Sequence, residues 1–355
     1  AMNTSLRCVV ALVLSALVGS LGGPSSPPAA VPPLALAAQP TVVHVKGNHL
    51  VDGHGHVVQL AGVNRSGTEY ACAEGWGIFD GPSGGASITA ITTWGAQIVR
   101  VPLNEDCWLG INGVPAAYGG AAYRSAVKGF VQRLENHGLL VDLDLHWTAP
   151  GTQLALGQQV MADADHSPTF WRKVAATFKT DHAVMFELFN EPHDITWSCW
   201  RNGCLTDGGW RTAGMRQLLG AVRGTGATNV VLMGGLDWSS DLSQWLSHRP
   251  ADPAGQLAAA FHTYNFSGCN TRACWRSTVA KVGKHVPVVM TEFGENDCAG
   301  GYVGPLMNWA DAHGLSYLGW TWDTWDCSSG PALISSYDGT PTGFGKVVRD
   351  HFLHR

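Results

Sequence analysis

Residues 184–192 read Val-Met-Phe-Glu-Leu-Phe-Asn-Glu-Pro, a short apolar run that ends in polar side chains. Valine and phenylalanine favour extended structure, and a strand that is apolar on both faces belongs in a sheet covered on both sides. Pro192 has no backbone N–H and a fixed φ, so the strand has to end before it. We therefore predict a buried strand from which Asn190 and Glu191 emerge at the edge of a sheet.

Similar apolar runs recur along the chain, and eight are predicted in all. They are residues 58–64, 97–103, 139–146, 184–190, 229–234, 258–264, 287–292 and 315–322. Helical periodicity follows each run, at residues 86–94, 121–137, 168–179, 210–223, 241–248, 272–283, 303–313 and 343–351. Eight strand–helix units predict an α/β fold, a closed (β/α)8 TIM barrel. An open doubly wound sheet is disfavoured because no Gly-x-Gly-x-x-Gly motif opens the first helix.

Two features precede the barrel. Residues 2–7 are short and basic, residues 8–21 are apolar, and Pro, Ala and Ser follow as far as residue 38. This is the layout of a secretory signal, with an N-terminal membrane anchor as the alternative. We predict residues 1–38 to be a signal peptide with a Pro/Ala-rich segment, and residues 39–355 to be one barrel domain without a further module. Residues 41–46 and 56–60 are predicted to form a β-hairpin that closes the barrel bottom.

The composition excludes several classes of protein. The chain has 355 residues, 22 Lys and Arg against 27 Asp and Glu, and 45% hydrophobic residues. So many hydrophobic residues exclude a disordered chain, and a mildly acidic chain lacks the basic face that nucleic acid requires. The 15 Trp indicate a ligand with flat apolar faces.

The cysteines indicate export. Eight follow residue 38, namely Cys72, Cys107, Cys199, Cys204, Cys269, Cys274, Cys298 and Cys327. An even number in an exported chain predicts disulfides, and the absence of a Cys-x-x-Cys spacing argues against zinc. Spacing alone does not fix the pairing. The short separations favour Cys199–Cys204 and Cys269–Cys274, and the expected loop positions favour Cys72–Cys107 and Cys298–Cys327. We expect a secreted, extracellular protein with no membrane contact after signal cleavage.

Polar side chains stand at the C-terminal ends of the predicted strands, where such barrels carry their active sites. They are Arg100, His146, Asn190, Glu191, His262, Tyr264 and Glu292. Because the fourth and seventh strands lie across the barrel mouth from each other, Glu191 and Glu292 can flank one bond. Two carboxyl groups about 5 Å apart cleave glycosides with retention of configuration. We expect burial to raise the pKa of Glu191, and donors such as Arg100 to keep Glu292 ionised.

The residues around both carboxylates resemble a known family. Residues 188–193, Leu-Phe-Asn-Glu-Pro-His, resemble the acid/base signature of glycoside hydrolase family 5, the cellulase family of retaining (β/α)8 glycosidases. Residues 291–294, Thr-Glu-Phe-Gly, resemble its nucleophile strand. The similarity extends to residues 99–102, 144–147 and 262–264 and covers the chain from about residue 42.

The resemblance implies a role at each matching position. Glu191 would be the acid/base and Glu292 the nucleophile. Asn190 would bond to the sugar 2-hydroxyl, and Arg100 and Tyr264 would bond to Glu292. The residues 39–355 would then form a glycosidase catalytic domain, which we expect to act as a monomer without a cofactor.

Further substrate-binding residues are implied on strands three, six and eight. His146 and His262 would hold the polar network on the substrate side, and Trp322, in preference to Trp320, would stack under the reacting sugar. The two histidines could instead ligate a metal. That alternative is disfavoured because no His-x-His pair lies on the first strand and no Lys ends a middle strand.

Three functions fit these residues. The first is a secreted retaining endo-β-glycanase acting on β-1,4-glucan, and the second applies the same chemistry to mannan, xyloglucan or β-1,3-glucan. The third, a non-catalytic carbohydrate-binding barrel, is disfavoured because both carboxylates and their donors are present. Loops set specificity on this fold, and the Cys-rich loops at residues 197–204 and 269–275 match no pattern that assigns one polymer.

Overall fold

The computed structural model describes residues 41–328 and 330–355, so the predicted signal segment at residues 1–38 lies outside the described residues. The described chain begins with an antiparallel hairpin of β1 (His44–Lys46) and β2 (His49–Val51). The second strand was predicted at residues 56–60, which is wrong. The chain reverses earlier because Gly47 adopts a φ of +64°, a conformation that glycine reaches without steric cost.

Eight strands follow that each overlap one predicted run. They are β3 (Ala61–Asn64), β4 (Ile98–Asn104), β5 (Leu140–Trp147), β6 (Val184–Glu187), β7 (Val231–Gly234), β8 (Leu257–Tyr264), β9 (Val288–Gly294) and β10 (Ser316–Gly319). All pair in parallel in chain order, and β10 closes the barrel by pairing with both β9 and β3. The predicted (β/α)8 TIM barrel is therefore confirmed. A two-stranded ribbon of β11 (Ile334–Ser336) and β12 (Thr340–Pro341) follows β10.

Helices connect the strands along the outside of the barrel. They are α1 (Gly85–Thr93), α2 (Glu105–Leu109), α3 (Ala121–Asn136), α4 (Ser167–Phe178), α5 (Trp197–Asn202), α6 (Met215–Arg223), α7 (Trp245–His248), α8 (Arg272–Cys274), α9 (Ala280–Val282), α10 (Val303–Ala312) and α11 (Gly343–His354). A π-helical turn, Trp275–Val279, joins α8 to α9. Among the described residues, no helix is long and apolar enough to cross a membrane.

Two of these helices, α2 and α5, are not predicted from the sequence, because they are short and their apolar pattern is weak. Each is instead started by a capping side chain and held by a disulfide. The Asn104 side chain accepts a hydrogen bond from the Cys107 N–H, and the Thr196 side chain accepts one from the Cys199 N–H. Such caps satisfy backbone donors that would otherwise lack partners at a helix start.

The strand residues alternate between two apolar layers. On β4, Val99, Val101 and Leu103 belong to the large core between barrel and helices, whereas Ile98 belongs to a second cluster inside the barrel. The inner cluster contains residues from the starts of the strands, together with Val43 and Leu50 of the hairpin region. The hairpin therefore closes the barrel bottom, as predicted. The last residue, Arg355, also lies there, since its guanidinium donates to the carbonyl of Gln59, just before β3.

Four disulfides fix the loops beyond the strands. The pairs are Cys72–Cys107, Cys199–Cys204, Cys269–Cys274 and Cys298–Cys327. All four predicted pairings are thereby confirmed. The first and last pairs join loops that follow different strands, and the other two close loops of five-residue separation.

Candidate active site

Alternation along the strands brings a column of polar side chains into the barrel. Successive strand residues point to opposite faces, so a strand that directs its first residue inward also directs its third and fifth inward. On β4 this places Arg100 inside the barrel above Ile98, and on β5 it places Asp142, Asp144 and His146 above Leu140. The polar column therefore stands on the apolar floor that the hairpin closes.

Glu292 lies at the top of this column between two donors. Arg100 Nη1 donates to its Oε1 at 2.7 Å, and the Tyr264 hydroxyl donates to its Oε2 at 2.5 Å. Burial and the nearby carboxylates raise the pKa of Tyr264 far above its ordinary value, so its hydroxyl keeps its proton. Both oxygens of Glu292 thus accept a short hydrogen bond, and the side chain is held in one orientation.

Glu191 faces Glu292 across the barrel mouth. A carboxylate oxygen of Glu191, one of Glu292 and a ring nitrogen of His262 all lie within 4.8 Å of one another. His262 Nδ1 contacts Glu191 Oε1 at 2.9 Å, and Gln158 Nε2 donates to Glu191 Oε2 at 2.8 Å. The two carboxyl groups thus have the close spacing of a retaining pair.

His262 is a buried cation in this arrangement. Burial alone would lower its pKa, but the carboxylates of Glu292, Glu187 and Glu191 outweigh it and raise the pKa to about 10. Its Nε2 contacts the hydroxyl of Thr291 at 3.0 Å, and that hydroxyl donates onward to Glu187. Both ring nitrogens therefore act as donors, which is the arrangement of an imidazolium.

This cation overturns the expected protonation of Glu191. Although burial raises the pKa of Glu191, the hydrogen bonds from His262 and Gln158 lower it further than burial raises it. The net effect is a pKa below the ordinary value, so the expectation of a raised pKa is wrong. The contacts with His262 and Gln158 therefore favour the ionised carboxylate of Glu191.

Two further carboxyl groups, on Asp142 and Asp144, lie within the barrel beside Arg100. Burial raises the pKa of both well above the ordinary value. Glu187 behaves differently, because Arg100 and His262 overcome its burial and hold its pKa at about 2. Arg100 contacts Glu187 and Glu292 at 2.7 Å each, so one guanidinium balances two carboxylates.

Arg100 and Asn190 are placed beneath the cleft rather than along its wall. Both side chains are fully buried, and Asn190 Oδ1 accepts a hydrogen bond from Arg100 at 2.8 Å. Arg100 bonds to Glu292, as the resemblance implies, but it does not line the cavity, so its role in substrate binding stays a prediction. Asn190 Nδ2 has no partner among the residues that the structure describes, so this amide keeps one donor unused.

A cavity of about 560 Å³ opens above Glu191 and Glu292. Its walls include the predicted His146 and Tyr264, together with Gln158, Asp237, Trp238, Ser240, Phe266, Ser267, Gly268, Trp320 and Pro331. His262 lies below this wall, where it contacts both catalytic candidates. Two stacked ring pairs border the cavity, namely His193 with Trp238 at 4.6 Å and Tyr264 with Phe266 at 5.2 Å.

The prediction for Trp322 is wrong. Trp322 is 0% exposed and packs edge-on against Trp94 with ring centroids 4.7 Å apart. Trp320 lines the cavity instead, its ring parallel to that of His146 at 5.5 Å. The strand β10 ends at Gly319, before either tryptophan, so strand alternation no longer decides which way they point.

The three facing groups, Glu191, His262 and Glu292, are close enough to ligate a cation, but their atoms are already engaged. An imidazole must be neutral to bind a metal, whereas His262 is protonated and donates from both nitrogens. Both oxygens of Glu292 accept strong hydrogen bonds. The donor set therefore fits proton transfer better than metal binding.

Sequence reasoning missed Glu187 and Gln158. The sequence does contain a sign of Glu187, because a carboxylate at an inward position of an apolar strand needs a buried cation as its partner. No sequence pattern identifies Gln158, since it lies in a long loop without periodicity. Only the structure shows that it contacts Glu191.

Comparison with known proteins places this arrangement in a family. The family model for cellulase (glycosyl hydrolase family 5) matches residues 51–326 of the chain. The chain belongs to glycosyl hydrolase family 5. The resemblance seen at the two carboxylate motifs therefore extends over most of the described barrel.

The relatives that the chain matches differ in the polymer that their names give. Endoglucanase CelA of Streptomyces lividans is 25% identical over 322 residues, which cover 87% of this chain and 62% of the relative. A mannan endo-1,4-β-mannosidase of Streptomyces lividans is 24% identical over 291 residues, which cover 79% of this chain and 66% of the relative. The chain therefore spans less than two thirds of the length of these relatives.

Solved structures support the barrel fold. A β-glucanase of Saccharophagus degradans, solved with cellotetraose, has a TM-score of 0.68 at 19% identity and covers 89% of this chain and 94% of its own. The catalytic domain of Thermobifida fusca endoglucanase Cel5A has a TM-score of 0.62 at 20% identity, covering 88% of this chain and 97% of its own.

Proposed function

We propose that this family 5 chain is a retaining endo-β-glycanase that hydrolyses β-1,4-glucan, with Glu191 as acid/base and Glu292 as nucleophile. The observation that carries the proposal is the pair of carboxyl groups at the barrel mouth, whose oxygens approach within 4.8 Å. Retaining enzymes need this short separation because one group attacks the sugar directly, whereas inverting enzymes need room for a water.

In the first step, Glu292 attacks the anomeric carbon while the bond to the leaving oxygen breaks. Protonated Glu191 gives its proton to that oxygen, and a glycosyl ester on Glu292 remains. Arg100 and Tyr264 hold Glu292 in position for this attack. The unused Nδ2 donor of Asn190 is suited to the sugar 2-hydroxyl, where a hydrogen bond strengthens in the transition state.

In the second step, a water molecule replaces the departed leaving group. Glu191, now a carboxylate, takes a proton from this water as its oxygen attacks the anomeric carbon, and the ester bond to Glu292 breaks. Two displacements restore the original configuration of the sugar. Trp320 offers the flat apolar ring on which the face of the reacting sugar can stack.

The choice of β-1,4-glucan rests on the relatives. CelA and the Thermobifida enzyme are named endoglucanases, and the Saccharophagus enzyme is a β-glucanase that was solved with cellotetraose. A mannan substrate is the second candidate, because a mannan endo-1,4-β-mannosidase matches at nearly the same identity. The chemistry at Glu191 and Glu292 is the same for either polymer.

We also propose that the protein works outside the cell as a monomer on an oligosaccharide or polysaccharide, without metal or cofactor. Four disulfides favour an oxidising compartment, and all four brace loops around the barrel. No contact with nucleic acid or membrane is part of the proposal.

The test is a panel of soluble β-1,4-glucan, mannan, xyloglucan and β-1,3-glucan, with products resolved by size and by anomeric configuration. We expect fragments of internal cleavage with retained configuration, highest from β-1,4-glucan. Inverted products would contradict the mechanism, and preference for another polymer would contradict the substrate assignment.

Two variants separate the carboxylate roles in the same assay. Glu292→Ala should lose turnover, and Glu191→Ala should regain it on an activated aryl glycoside when azide is added, because azide attacks the ester without a base. A Glu292→Ala protein that keeps its rate would overturn the assignment. A wild-type protein that binds glucan but never cleaves it would be a non-catalytic carbohydrate-binding barrel.

A further inference from the structure

The loop between β5 and α4 places one side chain directly on the proposed acid/base. Gln158 is half-buried in the cleft wall, and its Nε2 donates to Glu191 Oε2 at 2.8 Å. The other oxygen, Oε1, is engaged by His262 Nδ1 at 2.9 Å. Both oxygens of Glu191 are therefore occupied by N–H donors, which favours the ionised carboxylate.

The backbone of this loop is fixed on both sides of Gln158. The Ala155 N–H donates to Asp106 Oδ2 and the Ala155 carbonyl accepts from Asn104 Nδ2, each at 2.9 Å. Beyond Gln158, the Val160 carbonyl accepts from the His193 N–H at 3.0 Å. The side chain can therefore rotate into or out of the cleft without movement of the anchored backbone.

The position of the Gln158 amide conflicts with the first chemical step. To protonate a leaving oxygen, Glu191 has to carry a proton on the oxygen that faces the sugar. His262 covers Oε1 from inside the barrel, so this oxygen is Oε2, where the Gln158 amide sits. The amide and the leaving group thus compete for one place.

We propose that Gln158 holds Glu191 in its ionised form in the empty cleft, and that the leaving-group sugar displaces the amide from Oε2. This inference rests on the proposed function. After displacement the carboxylate has one donor fewer and is covered by sugar, so it takes up one proton from solvent and becomes the acid. Binding of the substrate therefore supplies the proton that Glu191 gives to the leaving oxygen in the first step and recovers from water in the second.

The proposal moves none of the other groups that face Glu191. They are the charged or titratable side chains of His262, His146, Glu292, Tyr264 and Asp144. Because these groups are common to the empty and the occupied cleft, removal of the Gln158 donor isolates its contribution.

The test compares pH profiles of wild type and Gln158→Met on cellotetraose, whose poor leaving group makes the acid-dependent step limiting. The alkaline limb of kcat/KM reports the free enzyme and that of kcat the substrate complex. We expect the substitution to move the kcat/KM limb to higher pH, by at most about one pH unit, and to leave the kcat limb in place. The neighbouring Gln159→Met is the matched control and should change neither limb.

The inference fails if the substitution moves both limbs equally or moves neither. A shift of the kcat/KM limb to lower pH would also overturn it, because the amide would then stabilise the protonated acid. Gln158→Leu, which loses the same donor with a different shape, replaces the Met variant if that protein melts earlier than wild type. Mannotetraose and laminaritetraose serve in turn if cellotetraose is not cleaved. Wild type that cleaves none of the three would instead contradict the proposed function.

Discussion

Glu191 and Glu292 carry like charges close together, and the residues around them offset this repulsion in different ways. Glu292 is held by a guanidinium and a hydroxyl that cannot move far, because Arg100 is fully buried and bonded to Glu187 and Asn190 as well. Glu191 is held on one side by buried His262, but on the other by a side chain in the cleft wall. Glu292 is thus fixed on both sides by buried groups, whereas one of the two contacts of Glu191 comes from a side chain that lines the cleft.

Trp320 and Trp322, the two tryptophans after β10, allow a direct test of which one lines the cleft and which one packs in the core. We expect Trp320→Ala to lower kcat/KM by about tenfold without unfolding the protein, because it removes a stacking surface from the cleft. Trp322→Ala should instead lower the free energy of unfolding by about 3–5 kcal/mol, because it leaves a cavity against Trp94.

Steady-state kinetics and chemical denaturation on both variants check this pair. Each variant is the control for the other, since the residues are two positions apart and of equal size. If Trp322→Ala remains as stable as wild type while its kcat/KM falls, the assignment of Trp320 to the cleft and of Trp322 to the core is wrong.

At the scale of elements, the sequence predicts strands and the direction of their side chains only where the apolar pattern is regular. The runs that end at His146, Asn190 and Glu292 identify strands because a buried strand is apolar throughout, and a polar end then marks the barrel mouth. The same reasoning fails at Trp322, because the strand ends at Gly319 and its period stops. It fails at Gln158 for the same reason, since a loop side chain is placed by backbone anchors that no local pattern records.

The loops have no periodic apolar face and are held by disulfides instead. The disulfides differ in the length of chain that they close. Cys72–Cys107 spans a separation of 35 residues, and Cys199–Cys204 spans 5. Because loop-closure entropy grows with length, replacing the first pair by Ala should lower the free energy of unfolding by about 4 kcal/mol, against about 2 kcal/mol for the second. Denaturant titration of the two double variants measures the difference, and equal losses would contradict the entropic account.

For the whole molecule, the barrel combines an apolar floor with a charged mouth. The sequence predicts the barrel well because eight repeated units leave few other topologies, yet it gives no warning that His262 is a cation. That property arises from three carboxylates: Glu187 and Glu191 come from β6 and the loop after it, and Glu292 comes from β9, which lies far along the chain. Charge at the mouth is therefore a property of the closed barrel.

This arrangement predicts how stability depends on pH. The pKa of His262 rises from 6.5 to about 10 on folding, so the folded protein keeps a proton that the unfolded chain releases. Its stabilisation is complete below pH 6.5 and is lost as the pH rises through about 10. Glu187 has its pKa lowered from 4.5 to about 2, so its stabilisation is present above pH 4.5 and lost as the pH falls through about 2.

Midpoints of thermal unfolding, measured between pH 3 and pH 10, test how stability depends on pH in the acid and in the alkaline range. We expect the highest midpoint between the two windows, and His262→Gln should flatten the alkaline slope. His137→Gln, at the residue that follows α3 and outside the barrel interior, is the matched control and should keep the wild-type slope. An unchanged alkaline slope in His262→Gln would contradict the assignment of His262 as a buried cation.

The contact between Arg355 and Gln59 has a practical consequence for handling the protein. It places residue 355 at the bottom of the barrel, where β3 begins, whereas the cleft opens at the opposite ends of the strands. A linker that immobilises the protein on a bead or sensor through this residue would leave the cleft facing the solution. Long, insoluble chains could then approach Trp320 and Glu191 without obstruction from the support.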